Sequence, residues 1–275
     1  MAGTLYVVAT PLGNLGDLAP RAADTLKRVS AVAAEDTRHS KPLLHYASSH
    51  AELISFHEHS SDRALERILR ILTEGRDVAL ITDAGTPAIS DPGVVLVAAA
   101  RERGIPIVTI PGPTAVAASL AVSGIPGDRF LFLGFLPRKG SDRLRLLLTA
   151  AQSEWTVVLF EAPNRVTQLL ADLAEVCGPE RQVAVSRELT KVFEETRAGT
   201  LQELSEHYAE ARVRGEVTVV LSGTGKQRVE DRAPDPTERA KALLADGLSR
   251  KDVADRLTEE TGISRNTAYR LVNEL

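Results

Sequence analysis

Runs of four to seven apolar residues recur along the first half of the chain, separated by segments whose apolar positions fall at helical spacing. The pattern predicts strands at 5–9, 31–34, 53–56, 78–82 and 105–110, with helices at 17–28 and 62–72, the latter capped by Ser61 or Asp62. Strands that read as short continuous apolar runs are those buried on both faces, as in a parallel sheet covered by helices. Residues 1–125 are therefore expected to form a doubly wound α/β domain. Residues 126–224 read differently. Strands are expected at 130–135, 156–160, 182–186, 193–200 and 217–221, with helices at 142–151 and 166–176. Little helix separates the strands between Val183 and Thr200, which predicts a second α/β domain whose mixed sheet has an antiparallel portion. Pro234 and Pro236 mark 225–236 as a linker. Beyond it, 237–275 is helical throughout: Ser249 precedes apolar Val253, Ala254 and Leu257, Gly262 ends that helix, and Ser264 caps another carrying Ala268, Leu271 and Val272. That is a helix-turn-helix pattern.

Composition changes this picture in two places. The stretch 104–127 carries no charged side chain and is long enough to cross a bilayer, but Pro106, Pro111, Pro113 and Pro126 would leave backbone groups unpaired in lipid. It reads instead as a buried strand leading into a buried turn. The formal net charge of -4 argues against indiscriminate nucleic-acid binding, so any nucleic-acid contact must be local. From Lys226 onward the basic and acidic side chains balance, although Arg265, Asn266, Tyr269 and Arg270 share a recognition-type helix. A single cysteine, Cys177, excludes an intrachain disulfide and a cysteine-based metal centre. The N-terminus has no basic segment before its first apolar run, so a cytoplasmic protein is expected.

The candidate chemistry sits in loops at the carboxyl ends of predicted strands, where open α/β sheets bind ligands. Thr10-Pro11-Leu12-Gly13-Asn14 follows the first strand and lacks the dinucleotide fingerprint G-x-G-x-x-G. The segment from Asp83-Ala84-Gly85 through Ala88, Ile89 and Asp91 follows the fourth. It holds two acids and no lysine, which suits a cationic or neutral ligand better than a phosphate. Pro111-Gly112-Pro113-Thr114-Ala115 feeds a helix, and Phe135-Leu136-Pro137-Arg138-Lys139-Gly140 and Glu161-Ala162-Pro163-Asn164-Arg165 bring basic residues into short turns of the second domain. His57-Glu58-His59 is not a metal motif, because neighbours on an extended segment point apart, and no metal is expected.

Taken in order, these loops, together with Ala34-Glu35-Asp36-Thr37-Arg38 and Ser55-Phe56-His57-Glu58-His59, resemble the tetrapyrrole-methylase superfold and, within it, the ribosomal RNA small subunit methyltransferase I family. The resemblance runs from Gly3 to about Gly223 and extends to the helical C-terminal module. It implies two α/β domains with S-adenosylmethionine in the cleft between them, usually as a homodimer, and 2′-O-methylation of a cytidine ribose in the decoding region of 16S rRNA within the small ribosomal subunit. It also implies donor contacts from Pro11, Asp83, Ala84, Gly85, Ala88, Ile89, Thr114, Ala115 and Glu161. A ribose hydroxyl is a poor nucleophile that a base would help, and Glu35, Asp36, His57 and Glu58 are the candidates. Arg38, Lys41, Arg138, Lys139 and Arg165 are candidates for RNA phosphates. Two other readings stay open on sequence: a small-molecule methylase of tetrapyrrole or diphthine type, and a non-catalytic ligand sensor whose helix-turn-helix reads DNA.

Overall fold

The computed structural model describes residues 2–57, 60–90, 93–210, 213–224, 236–261 and 263–275. The chain divides into two compact units, Met1–Gly223 and Thr224–Leu275.

The first unit contains two five-stranded sheets. The first is parallel throughout and is ordered β3-β2-β4-β1-β5, from β1 (Leu5–Val8), β2 (Ala31–Ala34), β3 (Glu52–Ser55), β4 (Val78–Ile81) and β5 (Ile107–Ile110). Alternate residues face opposite sides. Val8, Val32, Ala34, Ala79 and Ile81 join a core with Ala22 and Leu26 of α1 (Pro20–Arg28) and Leu43 and Leu44 of α2 (Thr37–Tyr46). Leu5, Ala31, Ala33, Val78 and Leu80 join another with Ile68, Leu69 and Leu72 of α3 (Asp62–Thr73) and Leu96 of α4 (Val94–Glu102). Both faces of the central strands β2 and β4 are covered, which is why these read as unbroken apolar runs, whereas the edge strands β3 and β5 keep exposed residues. Helix α2 is not among the helices read from the pattern; Pro42 lies inside it.

The uncharged stretch resolves into β5, a proline turn and α5 (Ala115–Ser123), but it is not the buried strand and turn expected: β5 is the edge strand of its sheet, with Val108 and Thr109 exposed, and Pro111 and Gly112 are exposed as well. Among the described residues no helix is long and apolar enough to cross a membrane. Helix α5 leaves the first sheet and packs on the second: Val116 shares a core with Val158, Ala184 and Val220. The second sheet, ordered β6-β7-β10-β8-β9, comprises β6 (Phe130–Phe135), β7 (Thr156–Glu161), β8 (Gln182–Arg187), β9 (Glu195–Thr200) and β10 (Val217–Leu221). Only β6 and β7 pair in parallel; the remaining ladders are antiparallel. Its other face, with Val157, Leu159, Val183, Val185 and Val219, is covered by α6 (Ser141–Gln152), α7 (Val166–Cys177) and α8 (Leu201–Glu210).

The second unit is three helices, α9 (Pro236–Ala245), α10 (Arg250–Thr261) and α11 (Arg265–Glu274), around Ala240, Leu243, Val253, Ala254, Leu257, Ala268 and Val272. Ser264 caps α11, its side chain accepting from the Thr267 amide at 3.2 Å. Apart from Pro236, which opens α9, the expected linker at 225–236 lies outside the described residues, as does Gly262.

Candidate functional site

A parallel sheet sends every strand-to-helix loop off the same edge. The loops after β1 and β4 are stitched together there. Thr10 and Gly85 form an isolated antiparallel bridge with N–O distances of 2.8 and 3.1 Å. The buried Thr10 hydroxyl donates to the carbonyls of Thr82 (3.1 Å) and Gly85 (3.3 Å). Gly85 has φ +84°, a conformation that glycine adopts without strain. In the second sheet, the antiparallel ladder sets Val217 opposite Glu161, so the start of β10 lies beside the end of β7.

A cleft of about 350 Å³ lies between these two edges. Leu12, Ala84, Gly85, Thr86, Ile89, Thr114 and Ala115 line it from the first sheet, and Phe135, Phe160, Glu161, Ala162, Pro163 and 215–218 from the second. The size falls in the range of small-molecule sites, and the lining is mostly apolar with few polar groups. Thr114 occupies the N-cap position of α5 without its side chain making a capping bond. Glu161 is 1% exposed; one carboxylate oxygen accepts from the Ala162 amide at 2.8 Å and pairs with Arg165. Its other oxygen, Oε2, and Arg165 Nε are buried with no hydrogen-bond partner among the described residues. A buried carboxylate oxygen left unpartnered in a cavity wall calls for a donor from a ligand.

A second cavity of about 490 Å³ adjoins the loop after β4 and is lined by Glu35, Phe56, His57, Ser60, Ser61, Asp62, Leu65, Ala88, Ser90 and residues 93–95. Three consecutive residues form a partition. Ile89 lines the first cavity, while Ala88 and Ser90 line the second. Ala88 and Ser90 have φ +67° and +60°, conformations that cost a non-glycine residue about 1 kcal/mol or more each. Strand β6 presses on this partition: a Cβ at Gly134, itself at φ +61°, would lie 2.8 Å from Ser90 Oγ.

The expected donor residues divide accordingly. Ala84, Gly85, Ile89, Thr114, Ala115 and Glu161 line the first cavity, whereas Pro11, Asp83 and Ala88 do not. Pro11 is buried, and its neighbour Leu12 reaches the wall instead. Asp83 accepts from the Asp36 amide at 3.2 Å and pairs with His39 Nδ1 at 3.0 Å. That pairing pushes His39 above its ordinary pKa, chiefly through the hydrogen bond to Asp83. Sequence reasoning missed Leu12, Thr86, Phe135, Phe160 and 215–218. Leu12, Thr86 and Phe135 lie in the candidate loops without having been singled out, and the start of β10 reaches the cleft only through antiparallel pairing.

Among the base candidates, Glu35 and His57 line the second cavity. Glu35 Oε2 accepts the buried Thr82 hydroxyl at 2.7 Å, and the His57 amide donates to Ser60 Oγ at 2.7 Å. Asp36 lines neither cavity. It caps α2 and accepts from the amide and guanidinium of Arg38 at 2.7 to 3.1 Å, which hold its carboxyl far below the usual carboxylate range. Glu58 lies outside the described residues.

Lys41, Arg138 and Lys139 are exposed, and so is Arg38 despite its pairing with Asp36. Arg143 fixes the turn bearing Arg138 by donating to the Pro137 carbonyl at 3.0 Å and pairing with Asp172 at 2.5 Å. Arg165 departs from expectation. Its side chain is mostly buried and paired with Glu161, which lines the cleft, so it is held against that carboxylate rather than presented to solvent like the other basic candidates. In the C-terminal unit, Arg265, Asn266 and Arg270 are exposed, with Arg265 paired to Asp255 at 2.8 Å.

Residues 4–205 match the family model described as Tetrapyrrole (Corrin/Porphyrin) Methylases. The chain is 43% identical over 274 residues to a "Ribosomal RNA small subunit methyltransferase I" of Synechocystis sp., covering 99% of this chain and 98% of the relative. It is 43% identical to a protein of the same name from Xylella fastidiosa, covering 97% and 98% respectively. Among solved structures, it is similar to a uroporphyrin-III C-methyltransferase from Thermus thermophilus complexed with S-adenosyl homocysteine. The TM-score is 0.58 at 20% identity, over 79% of this chain and 96% of that one.

Proposed function

Because the chain belongs to the ribosomal RNA small subunit methyltransferase I family of tetrapyrrole methylases, we infer that it transfers a methyl group from S-adenosylmethionine to the ribose 2′-hydroxyl of a cytidine in 16S rRNA. The observation that carries this reading is the partition at Ala88–Ser90. It sets a mostly apolar cleft beside a more polar cavity holding Glu35 and His57, one chamber for the donor and one for the acceptor.

The lining of the first cavity fits the donor. Leu12, Ile89, Phe135 and Phe160 offer apolar surface to an adenosine, Thr114 offers a hydroxyl, and the unpartnered Glu161 Oε2 suits an ammonium group. When bound, S-adenosylmethionine supplies an electrophilic methyl group. The chain's own residues then do three things. The cleft walls hold the reactants in line, an arrangement that contributes about 7 to 11 kcal/mol in well-oriented systems. They also exclude water from the reacting atoms. Glu35, oriented by Thr82, takes the proton as the ribose oxygen forms its new bond to the methyl carbon and the carbon–sulfur bond breaks.

The homodimer is part of the same proposal, as is action in the cytoplasm on the small ribosomal subunit. Val192 and Phe193, 92% and 73% exposed between β8 and β9, give a second copy an apolar surface to cover. Sedimentation of the purified chain tests that part. The reaction is tested by incubating the protein and labelled donor with small subunits, free 16S rRNA and tetrapyrrole precursors in parallel. Label on a cytidine 2′-oxygen is expected. Label in tetrapyrroles alone, or in none of the three, overturns the reading.

A further inference from the structure

An arginine-lined groove lies outside both cavities. Arg63, Arg67 and Arg70 of α3, with Arg103 just beyond α4, line an open groove of about 540 Å³ whose one acidic lining residue among the described residues is Glu66. In a chain of net charge -4, such a concentration of guanidinium groups is a local exception. Positions i, i+4 and i+7 fall on one helical face. The other face of α3 is spent on the core through Ile68, Leu69 and Leu72.

The four arginines are not equivalent. Arg67 pairs with Glu52, and Arg103 with Glu66 at 2.6 Å, so these two are tied to the protein. Arg63 and Arg70 are exposed and have no ion pair among the described residues. They stand seven residues apart, about 10 Å along the helix, enough to meet more than one phosphate of a strand. The helix also starts at the proposed acceptor chamber, since Ser61 and Asp62 line that cavity. A strand with one nucleotide in the chamber would thus continue beside the groove.

We propose that this groove binds the phosphodiester backbone of the substrate RNA next to the methylated nucleotide, with Arg63 and Arg70 as its contacts. The proposal rests on the rRNA methyltransferase reading. Guanidinium groups suit phosphate through paired N–H donors, and contacts of this kind position the RNA without reading its sequence.

The test compares wild type, R63Q/R70Q and R63K/R70K for binding to a 16S rRNA transcript across a salt series, with donor affinity measured by calorimetry. For R63Q/R70Q we expect binding weakened by tenfold or more. The slope of log K against log salt should fall by about 1.4 to 1.8, the value for two lost phosphate contacts. R63K/R70K should keep most of the slope, and donor affinity should stay within twofold of wild type in both variants. Wild-type binding retained by R63Q/R70Q with the same slope overturns the groove and leaves the methyltransferase reading standing. Weakening seen with assembled subunits but not with bare rRNA assigns the groove to a ribosomal protein and also overturns it. No binding or methylation of any rRNA by wild type removes the underlying reading as well.

Discussion

The two cavities on either side of Ile89 are built on opposite principles. The first, the proposed donor cleft, draws on both sheets and is walled by apolar side chains and close backbone, with one buried carboxylate, Glu161. The second, the proposed acceptor chamber, is built from loops of the first sheet and the adjoining ends of α3 and α4, and carries Glu35, His57, Ser60, Ser61 and Asp62. The first offers mostly apolar surface; the second offers groups able to handle protons and hydroxyls. The difference teaches that one short segment, Ala88–Ser90, borders both cavities and holds two non-glycine residues at positive φ to do so, which makes it the place where a reaction between their occupants would have to occur.

The largest expected effect tests whether chemistry belongs to one side only. Glu35→Gln should lower turnover by about 10² to 10⁴-fold while leaving donor affinity within twofold by calorimetry. An equal loss of both would merge the two chambers into one. Filling the other side is the converse. Ala84→Trp or Ala115→Trp should weaken donor binding by about 1 to 3 kcal/mol, the usual cost of overpacking, with RNA affinity retained in a filter-binding assay. The partition itself comes next. Gly134→Val places a branched side chain against Ser90 at φ +61°. It should cost about 1 to 3 kcal/mol and lower the melting temperature by about 2 to 4 °C for each of these. It should also raise both the donor Kd and the RNA KM, and a variant melting like wild type would show that the wall is not under pressure from β6.

The smallest effect concerns Asp83, which lines neither cavity. Asp83→Asn should leave donor affinity unchanged and return His39 toward its ordinary pKa in an NMR titration. Because the folded pKa of His39 is raised, the contribution of the pair is complete below the unfolded value of 6.5 and disappears as pH rises through the folded value. A loss of donor binding in Asp83→Asn would place the aspartate in the cleft after all.

Much of the architecture was legible because burial writes itself into hydrophobic pattern. The strands at 31–34, 130–135 and 217–221 were bounded to the residue, since both faces of these sheets need apolar side chains or small ones. The loops that converge were also readable, because glycine, proline and threonine after an apolar run mark strand ends, and a parallel sheet places all such ends on one edge. Asp36 shows the limit. Next to Glu35 it looks equally reactive, yet it caps a helix the hydrophobic pattern did not mark and spends its carboxylate on Arg38, while Glu35 lines the second cavity.

The sequence by itself therefore determined the succession of strands, the parallel and mixed character of the two sheets, and most of the first-sheet loops that line the cleft, but not helices α2, α4 and α8. Only the tertiary structure decided that Leu12 rather than Pro11 reaches the cleft, that Arg165 is committed to Glu161, and that 215–218 line the same cleft. The physical reason is range. Periodicity and turn chemistry act over a few neighbouring residues, whereas the pairing of β10 with β7 joins residues more than fifty positions apart, and nothing local records which partner a strand will find.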